Sequence, residues 1–295
     1  MEVDVAQNVL RVCFPALEVR DVRRVERGWD HYVFEVDGRW IFRFPRWPTT
    51  EDELAKELRL LPELNGRFLL AIPEYRYVWN GDLTYRHRFA GYPKIPGSAL
   101  DEVPVQEPER FRFPSTLGQF LTELHAFPPS RAQAIDLPGA RDPAANWRRR
   151  YETLAKRARQ DVLRRLDSVT RREVTERLDR FLPDAGRFPP TLVHMDLDAE
   201  HVLLDPGTRE LTGVIDWGAA GIGDPAIDFA GFADDPGWLE RMLAAYTGPR
   251  GPHFEERIDF YFRIAPLYGL LNGIDENSPK IIAANLERLR RRMLR

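Results

Sequence analysis

One stretch, residues 193–232, constrains this chain more than any other: VHMDLDAEHVLLDPGTRELTGVIDWGAAGIGDPAIDFAGF. Two short apolar runs, Thr191–Val193 and Val202–Leu204, read as strands on either side of a polar loop holding His194, Asp196, Asp198, Glu200 and His201. A third run, Leu211–Ile215, ends at Asp216, and Asp224-Pro225 then opens a helix. Short strands that end in acids are expected to deliver them to one rim of a small sheet, pointing into a shared space. A lone aspartate in a turn is ordinarily a cap. Asp196, His201 and Asp216 together, at these offsets, exceed what capping requires.

The offsets fit a kinase catalytic loop, H-R-D-x-x-x-x-N, with His201 standing in the asparagine place, and Asp216-Trp217-Gly218 falls where kinases have Asp-Phe-Gly. Phosphoryl transfer divides its labour this way. One carboxylate accepts the substrate hydroxyl proton, while a second carboxylate and a neutral donor hold magnesium on the phosphates. Through VHxDxxxxHxLxD and GVIDWGAAGIGDPAIDFA the segment resembles the aminoglycoside phosphotransferase family of small-molecule kinases. His201 points to the branch containing aminoglycoside 2″-phosphotransferases and macrolide 2′-phosphotransferases. The resemblance implies Asp196 as base, His201 and Asp216 as Mg2+ ligands, and His194 as a packing residue. It also implies ATP or GTP as donor and a hydroxyl of an aminoglycoside-type antibiotic as acceptor, with a macrolide or a housekeeping sugar or amino alcohol as the alternative acceptor.

At 295 residues the chain suits two lobes, and 43% apolar content with 11% aromatics indicates a well-buried globular protein. A single cysteine, Cys13, excludes an internal disulfide and fits a reducing compartment. The N-terminus MEVDVAQNVL lacks the basic and apolar regions of a signal peptide, and no apolar run reaches a membrane span. A soluble, cytoplasmic monomer with no membrane partner is therefore expected. A net charge of −3 gives no general pull toward nucleic acid. Arginine occurs 39 times against four lysines, and the arginine runs at 148–150, 164–165 and 171–172 mix with acids as solvated helix faces do.

In chain order, Val3–Phe14 reads as a helix and Val22–Arg27 as a first strand. Tyr32, Phe34 and Val36, then Trp40, Phe42 and Phe44, alternate on either side of Asp37-Gly38, which predicts a hairpin. GWDHYVFEV resembles the family's nucleotide-covering loop, which puts Gly28, Asp30 and His31 against the nucleotide. Arg43 occupies the strand position where such kinases present a lysine to phosphate; the alternative is a plain surface arginine. Glu57, on a helix over Glu51–Leu64, stands where the family places the acid that orients this cation, with Glu53 as competitor. Strands are expected over Tyr75–Trp79 and Leu83–Phe89. FAGYPKIPG, residues 89–97, reads as turn-rich and resembles the family's interlobe linker, with Ala90 and Tyr92 meeting the base.

From Ser115, taken as an N-cap, a helix carries Leu117, Phe120, Leu121 and Leu124 on one stripe, with His125 as a packed or capping histidine. Two charged helices over 146–182 divide near Asp167-Ser168. Helices then follow over Asp235–Tyr246, Phe254–Leu271 and Pro279–Leu294. Asp198, Asp234, Asp235 and Glu240 are the candidates for a cationic acceptor, though Asp235 also reads as a cap. The whole is a two-lobed, protein-kinase-like α+β fold: a nucleotide-binding lobe at 1–89, a hinge at 90–97 and a helical lobe at 98–295. Two other readings stand beside it. One is a metal-dependent hydrolase built from His194, Asp196, His201 and Asp216. The other is a nucleotide-binding module without transferase activity.

Overall fold

A computed structural model describes residues 1–25 and 30–294. Gly28 lies outside the described residues. The chain divides into two compact units, one formed by Met1–Val105 with Ala199–Ala219, the other by Gln106–Asp198 with Ala220–Arg295.

The first unit opens with α1 (Val3–Cys13), β1 (Val22–Val25), β2 (His31–Val36), β3 (Trp40–Pro45) and α2 (Pro48–Leu64), then β4 (Tyr77–Trp79), β5 (Phe89–Pro93) and β6 (Ser98–Ala99). Five of these strands make an antiparallel sheet in the order β1-β2-β3-β5-β4. The predicted hairpin joins β2 to β3, and Asp37 and Gly38 both take positive φ (53° and 66°), as a tight primed turn requires. Phe34, Phe42, Phe44 and Phe89 lie fully buried with Leu10 of α1 in the core of this unit.

The residues expected as a strand over Leu83–Phe89 pair only from Phe89 onward, so the ladder runs into the segment read as turn-rich. Gly91 is the reason. A Cβ there would sit 2.4 Å from Phe42 Cε1, so glycine lets the Phe42 ring lie over the backbone, and Pro93 falls harmlessly at the strand end.

The second unit follows with α3 (Glu107–His125), α4 (Pro129–Ala134), α5 (Pro143–Arg157), α6 (Ser168–Phe181) and β7 (Thr191–Val193). Helix α3 begins eight residues before Ser115, whose hydroxyl instead bonds Phe111 O at 3.1 Å inside the helix. Its apolar stripe is buried as expected: Leu117, Phe120, Leu121 and Leu124. The chain then returns to the first unit as β8 (Val202–Asp205) and β9 (Glu210–Val214), and finishes the second with β10 (Gly221–Gly223), a 3₁₀ turn over Pro225–Phe232, α7 (Pro236–Ala245), α8 (Phe254–Ile264), α9 (Pro266–Asp275) and α10 (Pro279–Met293). The helix expected across Phe254–Leu271 breaks at Ala265, because Pro266 has no N–H to continue the ladder.

The three runs around the polar loop do not share one sheet. Strand β7 pairs with β10, whereas β8 lies between β6 and β9. Aspartate-proline pairs start three of the elements: Asp142, Asp224 and Asp235 each accept a backbone N–H of the turn that their proline begins. Among the described residues no helix is long and apolar enough to cross a membrane.

Candidate active site

In the first unit the site is built around one cation. Arg43 points inward from β3 and is only 6% exposed, so it is not a surface strand arginine. Its Nη1 donates to both oxygens of Glu57 on α2, each at 2.7 Å, and to the Tyr75 hydroxyl at 3.2 Å. Its Nη2 donates to Asp216 Oδ1 at 2.8 Å and meets His31 Nδ1 at 3.3 Å. Burial alone would lower the Arg43 pKa, but Glu57, Tyr75 and Asp216 outweigh it and hold the guanidinium well above its ordinary value. Burial and then Arg43 pull His31 down to about 3, so it is neutral; its Nδ1 accepts from Arg43, which has no acceptor atom.

Asp216 adopts φ 64°, an uncommon conformation for a side-chain-bearing residue, two residues past the end of β9. Ile215 N donates to His201 O at 2.9 Å, which ties the two halves of the motif together, and His201 Nε2 lies 3.7 Å from Asp216 Oδ2. Asp216 is the open end of the network, its side chain 41% exposed against 0% for Glu57. Glu53 and Glu57 also approach Gly218, and Lys56 Nζ donates to its carbonyl. Burial first, then Asp30, pushes the Glu53 carboxyl up to about 7. Among the described residues no three His, Cys, Asp or Glu side chains converge on one point. Two adjacent donors, one of them a partly exposed carboxylate oxygen, nonetheless fit magnesium, which takes few protein ligands and completes its shell with water and phosphate.

Ala90 and Tyr92 lie within β5. Ala90 is flanked on one side by Arg43 and on the other by Val78, and Tyr92 is buried with its ring edge-on to Tyr75 at 5.4 Å. Asp30 is exposed beside β2, its carbonyl accepting from Arg46 N at 3.0 Å.

The second unit holds the loop after β7. His194 is fully buried, Met195 takes φ 69° and Asp196 is exposed. The loop is clamped by Asp228, itself fully buried: Oδ2 accepts from His194 N at 2.9 Å and Oδ1 from Met195 N at 2.8 Å. His125 Nε2 donates to Asp228 Oδ2 at 3.1 Å, and its Nδ1 meets the Tyr246 hydroxyl at 2.8 Å. His125 is thus a packed residue within a buried hydrogen-bonded chain. Gly231 abuts the same loop, since a Cβ there would lie 2.2 Å from Leu197 O.

Of the acids expected to meet an acceptor, Asp198 and Asp234 both act on Arg292, whose pKa burial and then Arg288 draw down to about 10 against their pull. Asp235 caps α7 through Trp238 N at 3.1 Å and accepts from Arg110 at 3.3 Å. Glu240 is exposed on α7.

The model of the phosphotransferase enzyme family (APH) matches residues 21–257. The chain belongs to that family. This phosphotransferase is 30% identical over 270 residues to an aminoglycoside 3′-phosphotransferase of Streptomyces fradiae, covering 78% of its own length and 92% of the relative. It is 31% identical over 226 residues to a viomycin phosphotransferase of Streptomyces vinaceus, covering 75% and 76%. Among solved structures, the GDP and kanamycin complex of APH(2″)-IIIa superposes with a TM-score of 0.87 at 27% identity over 98% of each chain. A macrolide 2′-phosphotransferase type I shares the fold at a TM-score of 0.76 and 24% identity, over 98% and 99% of the two chains. The expected kinase-like α+β fold and membership of this phosphotransferase family are thereby established. Two residues that matter in its geometry escaped sequence reasoning. Tyr75 stood only as the first residue of an expected strand, and Asp228 was not singled out; the only signal for Asp228 was its place in the block after Asp216.

Proposed function

We propose that this phosphotransferase moves the γ-phosphoryl group of ATP or GTP to a hydroxyl of an aminoglycoside-type antibiotic in the cytoplasm. The observation that carries this reading is the likeness to the Streptomyces fradiae aminoglycoside 3′-phosphotransferase across 92% of that relative. The superposition on APH(2″)-IIIa, a protein crystallised with GDP and kanamycin, supports it independently. The nucleotide lobe read over 1–89 and the acceptor lobe read over 98–295 are proposed with one change, that 98–105 and 199–219 go with the nucleotide lobe; the hinge read at 90–97 is proposed only beyond Pro93, where β5 ends.

The roles follow from what each group can do. Arg43, with Nη1 spent on Glu57, has Nη2 to offer a phosphate oxygen in place of Asp216. Asp216 and His201 would hold magnesium, and the chemistry it would supply there is neutralisation of phosphate charge. Asp196 accepts the proton of the acceptor hydroxyl and aims its oxygen. Asp198 and Asp234 supply negative charge for acceptor ammonium groups. Because the transition state is loose, positioning and charge neutralisation provide most of the catalysis.

The test is mass spectrometry of aminoglycosides, viomycin and macrolides incubated with the enzyme and Mg-ATP or Mg-GTP. The expected result is an aminoglycoside carrying one added phosphoryl group, lost in Asp196→Asn. Phosphate gain only on a non-aminoglycoside overturns the acceptor class. Nucleotide binding with no product across the panel overturns the proposed antibiotic activity.

A further inference from the structure

An arginine in the place of a kinase lysine brings a hazard that lysine does not. Guanidinium and carboxylate groups favour a parallel fork in which two nitrogens meet two oxygens. Were Arg43 to form that fork with Glu57, one of the two N–H groups of Nη2 would go to Glu57, and Nη2 could no longer serve both Asp216 and His31 as it does here. The structure shows a different arrangement. Glu57 places both oxygens on Nη1, at 2.7 Å each, and Nη2 turns away to Asp216 Oδ1 at 2.8 Å.

We propose that Tyr75 is a positioning residue that prevents the fork and so keeps Nη2 available for phosphate. Its hydroxyl donates to Glu57 Oε2 at 2.8 Å and accepts from Arg43 Nη1 at 3.2 Å, closing a triangle on one side of the carboxylate. A hydroxyl has one proton, and giving it to Oε2 leaves the oxygen lone pairs facing Nη1, so each corner specifies the next. The carboxylate can turn toward Nη2 only by breaking the Tyr75 bond, in a place where Glu57 is fully buried and has no water to replace it. The phenol is itself braced, with its ring edge-on to that of Tyr92 at 89°. Lysine, with one nitrogen, would need no such guard. The device is tied to the arginine.

This inference rests on the reading that Arg43 meets the nucleotide phosphates, and the experiment separates the two. Binding of Mg-ADP and Mg-GDP is measured by calorimetry, and kcat and KM by product formation, for the wild type, Tyr75→Phe, Arg43→Lys and the double variant, with Arg43→Ala as control. Crystallography of Tyr75→Phe reads the side-chain geometry directly. Tyr75→Phe is expected to weaken nucleotide binding about tenfold in the Arg43 background. In the Arg43→Lys background the same change should cost less than about twofold, because there is no fork to prevent. In the crystal, Glu57 should span Nη1 and Nη2, and Nη2 should keep no more than one of Asp216 and His31. An equal loss in both backgrounds, or a Glu57 still held on Nη1 alone in Tyr75→Phe, overturns the role of Tyr75. If Arg43→Ala binds nucleotide as the wild type does, the phosphate reading itself falls. If Arg43→Ala weakens binding and Tyr75→Phe does not, only the positioning role falls.

Discussion

Asp228→Asn removes a charge and almost no volume, so it isolates what the buried carboxylate does for the loop bearing Asp196. The carboxylate accepts three N–H groups, from His194 N at 2.9 Å, Met195 N at 2.8 Å and His125 Nε2 at 3.1 Å. An asparagine has one acceptor oxygen, and its amide nitrogen must face a donor. Either the Met195 bond or the His194 and His125 bonds are lost, and each bond to a charged acceptor contributes about 1.5–3 kcal/mol. Asp228 is 0% exposed, so water offers no substitute, and the net loss should be about 2–4 kcal/mol. That corresponds to a fall in Tm of roughly 3–7 °C for a chain of this size. The kinetic effect should exceed the loss of folded protein. Met195 is held at φ 69°, a conformation that persists only when its surroundings enforce it, and Asp196 is the next residue. A displacement of about 1 Å at a positioning group costs about a hundredfold, so kcat should fall by that order. Calorimetric melting and steady-state kinetics at a temperature where both proteins are folded give the two numbers. A variant that melts within about 1 °C of wild type and keeps kcat within about twofold would refute the clamp.

Two further outcomes follow from the same geometry. Glu53 has a folded pKa raised to about 7 against an ordinary 4.5, so its contribution is fully present below pH 4.5 and is lost as pH rises through 7. Glu53→Gln should therefore stabilise the nucleotide-free protein by about 1 kcal/mol at pH 8, after allowance for solvent screening at this half-exposed group, and by almost nothing at pH 5; urea titrations at both values decide it. Gly231→Ala puts a methyl 2.2 Å from Leu197 O and 2.7 Å from Asp198 Cβ. It should destabilise by about 1–3 kcal/mol and lower kcat with it, which a wild-type melting curve would contradict.

Much of the fold was open to reading because local signals agreed with tertiary ones. Alternating aromatics around Asp37-Gly38 could hardly be anything but a hairpin, and the Asp-Pro pairs mark where elements begin. The failures came where a neighbour overrode the local signal. Gly91 and Pro93 look like turn residues, yet Phe42 needs the empty side of Gly91 and makes a strand of it. Ser115 looks like a cap, but Pro108 and the Gln106–Glu109 capping box had already started the helix. At the site, spacing alone brought Asp216 and His201 forward. It could not reveal that Arg43 would be buried among four polar partners, because a strand's alternation predicts a facing and not the chemistry behind it. Tyr75 was invisible for the same reason: its hydroxyl matters only once Glu57 and Arg43 lie next to it.

The network around Arg43 joins residues 173 positions apart in the chain, and this sets an order on how the protein can be made. When Val105 emerges from the ribosome, β1 to β5 and α2 are complete, but Asp216 has not been synthesised. Strand β6 likewise waits for β8, and Ala71 for the Val214 amide that its carbonyl accepts at 2.9 Å. At bacterial or eukaryotic elongation rates of about 5–20 residues per second, the missing segment arrives roughly 5–20 s later. Through that interval Arg43 has Glu57 and Tyr75 as partners but not its carboxylate from the far side, and Lys56 has no Gly218 carbonyl. The first unit therefore cannot finish as a nascent domain, and any fragment ending near residue 105 carries a buried cation network with one side left open.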